Sequence, residues 1–551
     1  MVWWARRVIA WAAVTVLVAA CSSDGDQPFP GAAAPTSASS SASDSALTTE
    51  TAPEASAGQI VIDPAAAGSP FDRRLLGTNM PAWVGPVKLG DQAFQQRIAD
   101  LGTTVVRMPG GSWSSAYDWL ACEDGDADGC YWTWAARPSD YLGFLADTGL
   151  DGMWTVNFNS TAQSAAALVA FFNGAVTDQR VIGVDRDGKD WGTVGQWAAL
   201  RGEHGHPEPH RVQYWEIGNE VYGAKADAGS QCASFGWEDV WTCDGATYVA
   251  GDDAHDGFVA YEAAMRAVDP DIKIGAVGIG GAQSEWSGFG NEVIADAGTL
   301  FDFYVVHDYG FSETPSDHEA LKRPVDAWPD VMKGPLDELA KVQSGAPVPV
   351  AITEYNMFFF ADGDKTAMMS SAIDAIYMAD TIGQMARNGV RMANQWNIVN
   401  GTNSTEGDYG LLDPDTSEPM PQFYAIALWS RFGDHLTSCS AGFDAELTLD
   451  VFCGRDDAGV LSIMAINKTD APVESSIGGL GASTYDVVAD VAAATSLDDT
   501  TMVYNGSSNR ALPLDDSPGT SLGSTVGGSI DVTFDPFSIT LVTLSPRSPA
   551  G

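Results

Sequence analysis

An alternation constrains this chain more than any other feature. From Leu75 onward, short runs rich in β-branched and aromatic residues recur eight times, separated by longer stretches with helical spacing. The runs are LLGTNM (75–80), TVVRMPG (104–110), GMWTVNF (152–158), VQYWEIGNE (212–220), IKIGAVG (272–278), FDFYVVHDY (301–309), VPVAITEYN (348–356) and RMANQWNIV (391–399). Between them, SAAALVAFFNG (164–174) and SSAIDAIYMADTIGQMARNG (370–389) space apolar residues three and four apart, as a helix with a buried face requires. Eight strand–helix units in one run predict an α/β fold, a (β/α)8 TIM barrel over residues 73–419. Beyond about Pro421 the pattern changes to strands divided by Gly, Ser and Asp, such as VLSIMAINKT and SIDVTFDPFSITLVTLS, which predicts a C-terminal antiparallel β-sandwich over 420–551. The early segment QIVID (59–63) reads as a strand given to that sandwich, so that 58–72 joins it before the chain enters the barrel.

The N-terminus follows different physics. Arg6-Arg7 precede the apolar run VIAWAAVTVLVAA, too short for a membrane-spanning helix, and residues 1–20 read as a secretory signal. The run ends in LVAAC, which resembles a bacterial lipoprotein box, with Cys21 as the lipid-modified first residue of the mature chain. Residues 21–57 are Ser, Ala, Thr and Pro with almost no large apolar side chain, so they cannot bury a core and read as a disordered tether. The expected location is the outer face of a bacterial cell membrane, with the lipid as the only membrane contact.

The other cysteines fit that compartment. With Cys21 set aside, Cys122 and Cys130, Cys232 and Cys243, and Cys439 and Cys453 form three neighbouring pairs, each bracketing a polar, Gly-containing loop, and local disulfides are expected. Lys and Arg total 28 against 73 Asp and Glu, a formal charge of −45, which repels nucleic-acid phosphates. A neutral substrate fits that charge better.

Chemistry enters at the strand ends. In a barrel the C-terminal ends of the strands share one rim, so Asn219-Glu220, closing the fourth run, and Glu354, near the end of the seventh, can face each other across a pocket. Two carboxyl groups across one sugar are what glycosidic cleavage uses: one protonates the leaving oxygen, the other attacks or activates water.

The run GHPEPHRVQYWEIGNE resembles the acid/base segment of family 51 α-L-arabinofuranosidases in glycoside hydrolase clan A, and RMPGG before it and HDY and ITEYN after it occur in the matching order. The similarity spans residues 58–546, including the MAINKT and DPFSITLVTL strands. It implies a retaining enzyme with Glu220 as acid/base and Glu354 as nucleophile, and Asn219 bound to the sugar 2-hydroxyl. Arg107 is expected to set a fixed positive charge beside Glu354, and His307 and Tyr309, on one strand face, to hydrogen-bond the two glutamates. Either Gln395, as a hydroxyl partner, or Trp396, as a flat platform, should meet the sugar. The Glu220 carboxyl is expected to rise in pKa while Glu354 is anionic and to fall once that charge is spent in an ester. No metal or organic cofactor is required.

Two positions depart from the family pattern. Where family 51 usually has a Glu beyond the strand-one Gly and an Asn after PGG, the chain reads GTNMPAW and PGGSW, with Pro81 and Ser112 nearby, which leaves the sugar open. An α-L-arabinofuranoside leads; an endo-acting hydrolase of arabinan, xylan or glucan, and a carbohydrate-binding lipoprotein without catalysis, are the alternatives. Asp124, Asp126 and Asp128 begin a calcium-loop pattern that fails at Ala135, where a bidentate Glu is needed. His204, His206 and His210 lie in the Pro-rich stretch of the family motif and read as structural.

Overall fold

Each of the eight runs contains a barrel strand. In the computed structural model they are β1 (Gly77–Asn79), β2 (Val105–Met108), β3 (Asp151–Val156), β4 (Tyr214–Ile217), β5 (Lys273–Val277), β6 (Phe303–Phe311), β7 (Val350–Phe358) and β8 (Met392–Gln395). Neighbours pair in parallel in sequence order and β8 closes onto β1, making the expected barrel. The structure describes residues 54–547 except 127–128, 131, 226–231, 233–235, 281–286, 345–347 and 401–407. The signal segment, Cys21, most of the tether and Asp128 lie outside the described residues.

Period-two alternation sorts the barrel interior into layers. Val105, Met153, Tyr214, Phe303, Val305, Ala351 and Met392 pack together as an apolar layer near the strand starts. Two residues further along come Arg107, Thr155, Glu216, His307 and Thr353, so polar groups follow the apolar plug toward the rim. The alternate residues, such as Trp215 and Ile217 of β4, face the helices and join the main core.

Local signals set the helix ends. Helix Gln92–Leu101 starts at Asp91, whose side chain accepts from the Ala93 amide, and stops at Gly102 with φ 69°. The Ala-rich helix Ala162–Asn173 is buried almost throughout, because small side chains let neighbouring helices approach from both sides. Helix Asp317–Val342 contains Pro324, Pro329 and Pro335, yet a capping box from Ser316 and Glu319 starts it, and Leu321, Trp328, Met332 and Leu339 bury one face.

The C-terminal part packs two sheets. Gln59–Ile62 joins the smaller one, antiparallel to Cys439–Ala441 and parallel to Val473–Gly478, the one parallel pairing among the described sandwich strands. The larger sheet is double-faced. In Leu461–Asn467, Leu461, Ile463 and Ala465 face the smaller sheet, while Met464 and Ile466 join the barrel's core. The division expected at residue 420 falls just before a fully buried helix, Phe423–Trp429, whose Trp429 indole donates to the Ala379 carbonyl of a barrel helix. Lys468 of MAINKT reaches back as well, pairing with buried Asp380 at 2.6 Å. The three local disulfides, Cys122–Cys130, Cys232–Cys243 and Cys439–Cys453, are formed as expected.

Candidate active site

Arg107 organises the rim. Wholly buried on β2, its guanidinium takes four partners: Glu216 through Nε and Nη2, Asn79 Oδ1 at 2.9 Å, Glu354 Oε1 at 2.8 Å and Asn219 Oδ1 at 2.8 Å. The planar fork lets one side chain fix three strands' residues at once, which a lysine could not do. Glu216 is a residue the sequence reading passed over, although the strand period puts it on the same face as Glu220. Burial opposes its charge, but Arg107 and His307 hold its carboxyl below the usual range.

A bulge explains how β7 serves the site twice. Between the pairings Val306 with Ile352 and His307 with Glu354, β7 carries one extra residue, Thr353. Strict alternation would turn Thr353 and Glu354 to opposite faces; the bulge lets both reach the interior. Thr353 Oγ1 donates to Glu216 at 3.1 Å and lies 3.0 Å from His307 Nε2. Glu354 accepts from Arg107 on one oxygen and from the Tyr309 hydroxyl, at 2.7 Å, on the other.

Glu220 sits just past β4 with φ 37° and ψ 40°, a left-handed conformation that costs a non-glycine residue about 1–3 kcal/mol. The turn aims its carboxyl at His307 Nδ1, 2.9 Å away, and at the Tyr222 hydroxyl, 3.1 Å away, while the Trp237 indole donates to its other oxygen. One carboxylate oxygen each from Glu220 and Glu354 and a ring nitrogen of His307 lie within 4.8 Å of one another.

The resting protonation differs from the expectation for Glu220. Burial pushes its carboxyl up, but the hydrogen bond and charge of His307, then Trp237 and Tyr222, bring it below the ordinary value. His307 is correspondingly lifted to about 10: burial lowers it, and the Glu354 charge and its contacts with Glu216 and Glu220 more than compensate. The imidazolium between Glu354 and Glu220 accounts for the difference. The proton between the two groups therefore sits on His307, one hydrogen bond from the Glu220 carboxyl. Among the described residues Glu220, His307 and Glu354 are the group whose ligand atoms come close enough to hold an ion, and both ring nitrogens of His307 already have partners in Glu220 and Thr353. His204, expected to be structural, pairs with Glu123 at 2.6 Å.

These groups open into a cavity of about 360 Å3 lined also by Gly111, Ser112, Ile279, Gly280, Phe359, Phe360 and Trp396. Of Gln395 and Trp396, it is therefore Trp396 that faces the cavity. Gln395 does not face the cavity: alternation from Met392 turns it outward, where its amide oxygen accepts a hydrogen bond from the Thr78 hydroxyl and its nitrogen donates to the Tyr409 carbonyl. Gly111 of RMPGG has φ 63°, and an added Cβ would lie 2.3 Å from the Trp396 ring, so the glycine leaves room for that indole. Trp83 packs edge-on behind Trp396 at 5.8 Å.

Asn219 lines the cavity with its amide largely spoken for. Its oxygen accepts from Arg107 and its nitrogen donates to Glu238 at 3.0 Å, leaving one amide hydrogen for a ligand. Glu238 and Trp237 come from the loop after β4, closed by the Cys232–Cys243 bridge, and sequence offered no signal for either beyond those flanking cysteines. Ser112, at the departure from the family pattern, also donates to Glu238. Burial and the nearby Glu220 charge push the Glu238 carboxyl up to about 8, so it is neutral at pH 7. Above pH 8 a second buried negative charge forms beside Glu220. The expected result is a fall in kcat/KM on the alkaline side near pH 8, which Glu238→Gln, permanently neutral, should move toward the His307 value of about 10. An alkaline limb unmoved by the substitution would refute this role for Glu238.

Comparisons with known proteins bear on the fold and on the class of activity. Residues 97–323 match the family model described as Alpha-L-arabinofuranosidase 1 domain. A probable alpha-L-arabinofuranosidase C of Aspergillus terreus is 23% identical over 436 residues, 70% of this chain and 77% of that protein. The chain is an arabinofuranosidase-like glycoside hydrolase that resembles family 51 of clan A. The fold agrees. The Thermotoga maritima alpha-L-arabinofuranosidase, solved as an arabinose complex, superposes with a TM-score of 0.64 at 20% identity, covering 89% of this chain and all of that one. The thermostable family 51 alpha-L-arabinofuranosidase of Thermotoga petrophila gives 0.65 at 19% identity, over 88% of this chain and 99% of that one.

Proposed function

We propose that the protein is a retaining α-L-arabinofuranosidase, held outside a bacterial cell by a lipid on Cys21, that removes arabinose from arabinose-containing polysaccharides by double displacement. The observation carrying the mechanism is the approach of a Glu220 oxygen and a Glu354 oxygen to within 4.8 Å. Retaining glycosidases hold their two carboxyl groups about 5–5.5 Å apart, whereas inverting enzymes need about 6.5–9.5 Å to admit a water between them.

In the first half-reaction Glu354 attacks the anomeric carbon. Arg107 and Tyr309 each hold one of its oxygens, so the attacking group is fixed in place before the substrate arrives. Glu220, drawing on the proton shared with His307, protonates the departing oxygen. The bond from Glu354 to the sugar forms as the bond to the leaving alcohol breaks. In the second half-reaction Glu220 takes a proton from water, the resulting hydroxide displaces Glu354, and the sugar leaves with its original configuration.

The sugar is tested with a panel of aryl glycosides: α-L-arabinofuranoside, β-D-xyloside and β-D-glucoside. Release from the arabinofuranoside supports the reading; release only from another sugar would replace the substrate, and silence on all three would refute it. For the anchor, Cys21→Ala should move the protein from the membrane fraction to the medium. Retention of that variant on the membrane would rule out lipid attachment at Cys21.

A further inference from the structure

The cavity does not end at its own wall. Phe360, which lines it, also lines an adjoining groove of about 710 Å3 between the loops that follow β6 and β7. The groove's polar side chains are Ser312, Glu313 and Thr314 from the first loop and Asp362 and Lys365 from the second. Phe360 is 43% exposed beside Phe359 at 42%, their ring centroids 4.7 Å apart, so two apolar rings face solvent at the junction.

The groove is built rather than incidental. Thr314 Oγ1 donates to the Gly363 carbonyl at 2.8 Å and accepts from the Lys365 amide at 2.8 Å, which ties the two loops together across the floor. Gly363 permits that closeness, since an added Cβ would stand 2.3 Å from the Ser312 carbonyl oxygen. Buried Asp364 accepts from the Met368 and Met369 amides at 2.8 and 2.9 Å and pins the second loop to the body. An apolar ring face flanked by carboxylates, hydroxyls and an ammonium group suits a pyranose or furanose, whose C–H face packs on the ring while its hydroxyls find partners on either side. The formal charge of −45 turns anionic polymers away, leaving a neutral saccharide as the fitting occupant.

We infer that the groove between Ser312–Thr314 and Phe360–Lys365 is a chain-binding subsite that holds the sugars of a neutral oligo- or polysaccharide continuing beyond the unit in the cavity. The inference rests on the proposed glycosidase function and extends it from single arabinosyl groups to a chain. The site then recognises polymer, and chain length sets its efficiency.

The test compares kcat/KM on an aryl arabinofuranoside with a series of arabino-oligosaccharides from disaccharide to hexasaccharide, for the full protein and for the double variant Glu313→Ala/Asp362→Ala. In the parent, kcat/KM is expected to climb by about tenfold or more along the series, as one further seated sugar ring would give. The double variant should lose most of that climb, so its ratio of long-chain to aryl kcat/KM falls while its aryl rate stays within twofold of the parent. Aryl hydrolysis with no dependence on chain length, or a climb the double variant keeps in full, overturns the subsite and leaves the glycosidase reading standing. Absence of hydrolysis on every substrate overturns both.

Discussion

Replacing Glu354 with alanine should lower kcat/KM by at least about 10^4-fold, because no other group can form the bond to the anomeric carbon. The loss should appear in kcat as much as in kcat/KM, since Glu354 contributes chemistry rather than ground-state affinity. The protein should remain folded: deleting one carboxyl relieves the guanidinium of a partner but leaves Arg107 paired with Glu216. A circular dichroism spectrum matching the parent, with activity gone, is the expected combination. A variant keeping more than about a tenth of parental kcat/KM would remove Glu354 from the mechanism.

Arg107→Met should have the largest effect on stability. The substitution keeps an unbranched chain of similar length but strips the countercharge from Glu216 and Glu354, both buried, and takes donors from Asn79 and Asn219. Removing one partner of a buried ion pair costs about 3–5 kcal/mol, far more than the pair's net contribution, because the remaining charge is left unpaired in a low-dielectric interior. Chemical denaturation should show the unfolding free energy lowered by that amount and the midpoint shifted down accordingly, with activity lost as well. Arg107→Lys should recover little, since a single ammonium cannot reach Glu216, Glu354 and both asparagines together. Unfolding indistinguishable from the parent in both variants would mean the barrel interior does not depend on this charge.

The barrel was legible because it is written in a repeating code. Strand and helix periods differ, and eight alternations of the two leave few folds available. The pair Glu220 and Glu354 was legible because strand ends converge on one rim. What sequence did not disclose is geometry that breaks the period. The extra residue at Thr353 turns two consecutive side chains inward, the left-handed backbone at Glu220 redirects a carboxyl, and neither departure has a glycine to announce it. Glu216 shows no such break: it is a wholly buried glutamate inside β4, and only its ion pair with Arg107 marks it as part of the site. Trp237 and Glu238 arrive from a long loop whose path follows from no local pattern, so their grip on Glu220 and Asn219 emerges only in three dimensions. Gln395 and Trp396 show the limit of neighbours: alternation decides between them once the register of Met392 is known.

The assignment of the two glutamates is tested most directly with azide as an external nucleophile, using an aryl glycoside with a good leaving group and reading the product's anomeric configuration by NMR. In Glu220→Ala, Glu354 still forms the glycosyl-enzyme, so azide should restore turnover and give a glycosyl azide of retained configuration. In Glu354→Ala, azide entering the vacated position should give the inverted product. The opposite pattern, or inversion in both variants, would contradict a double displacement through Glu354 with Glu220 as acid and base.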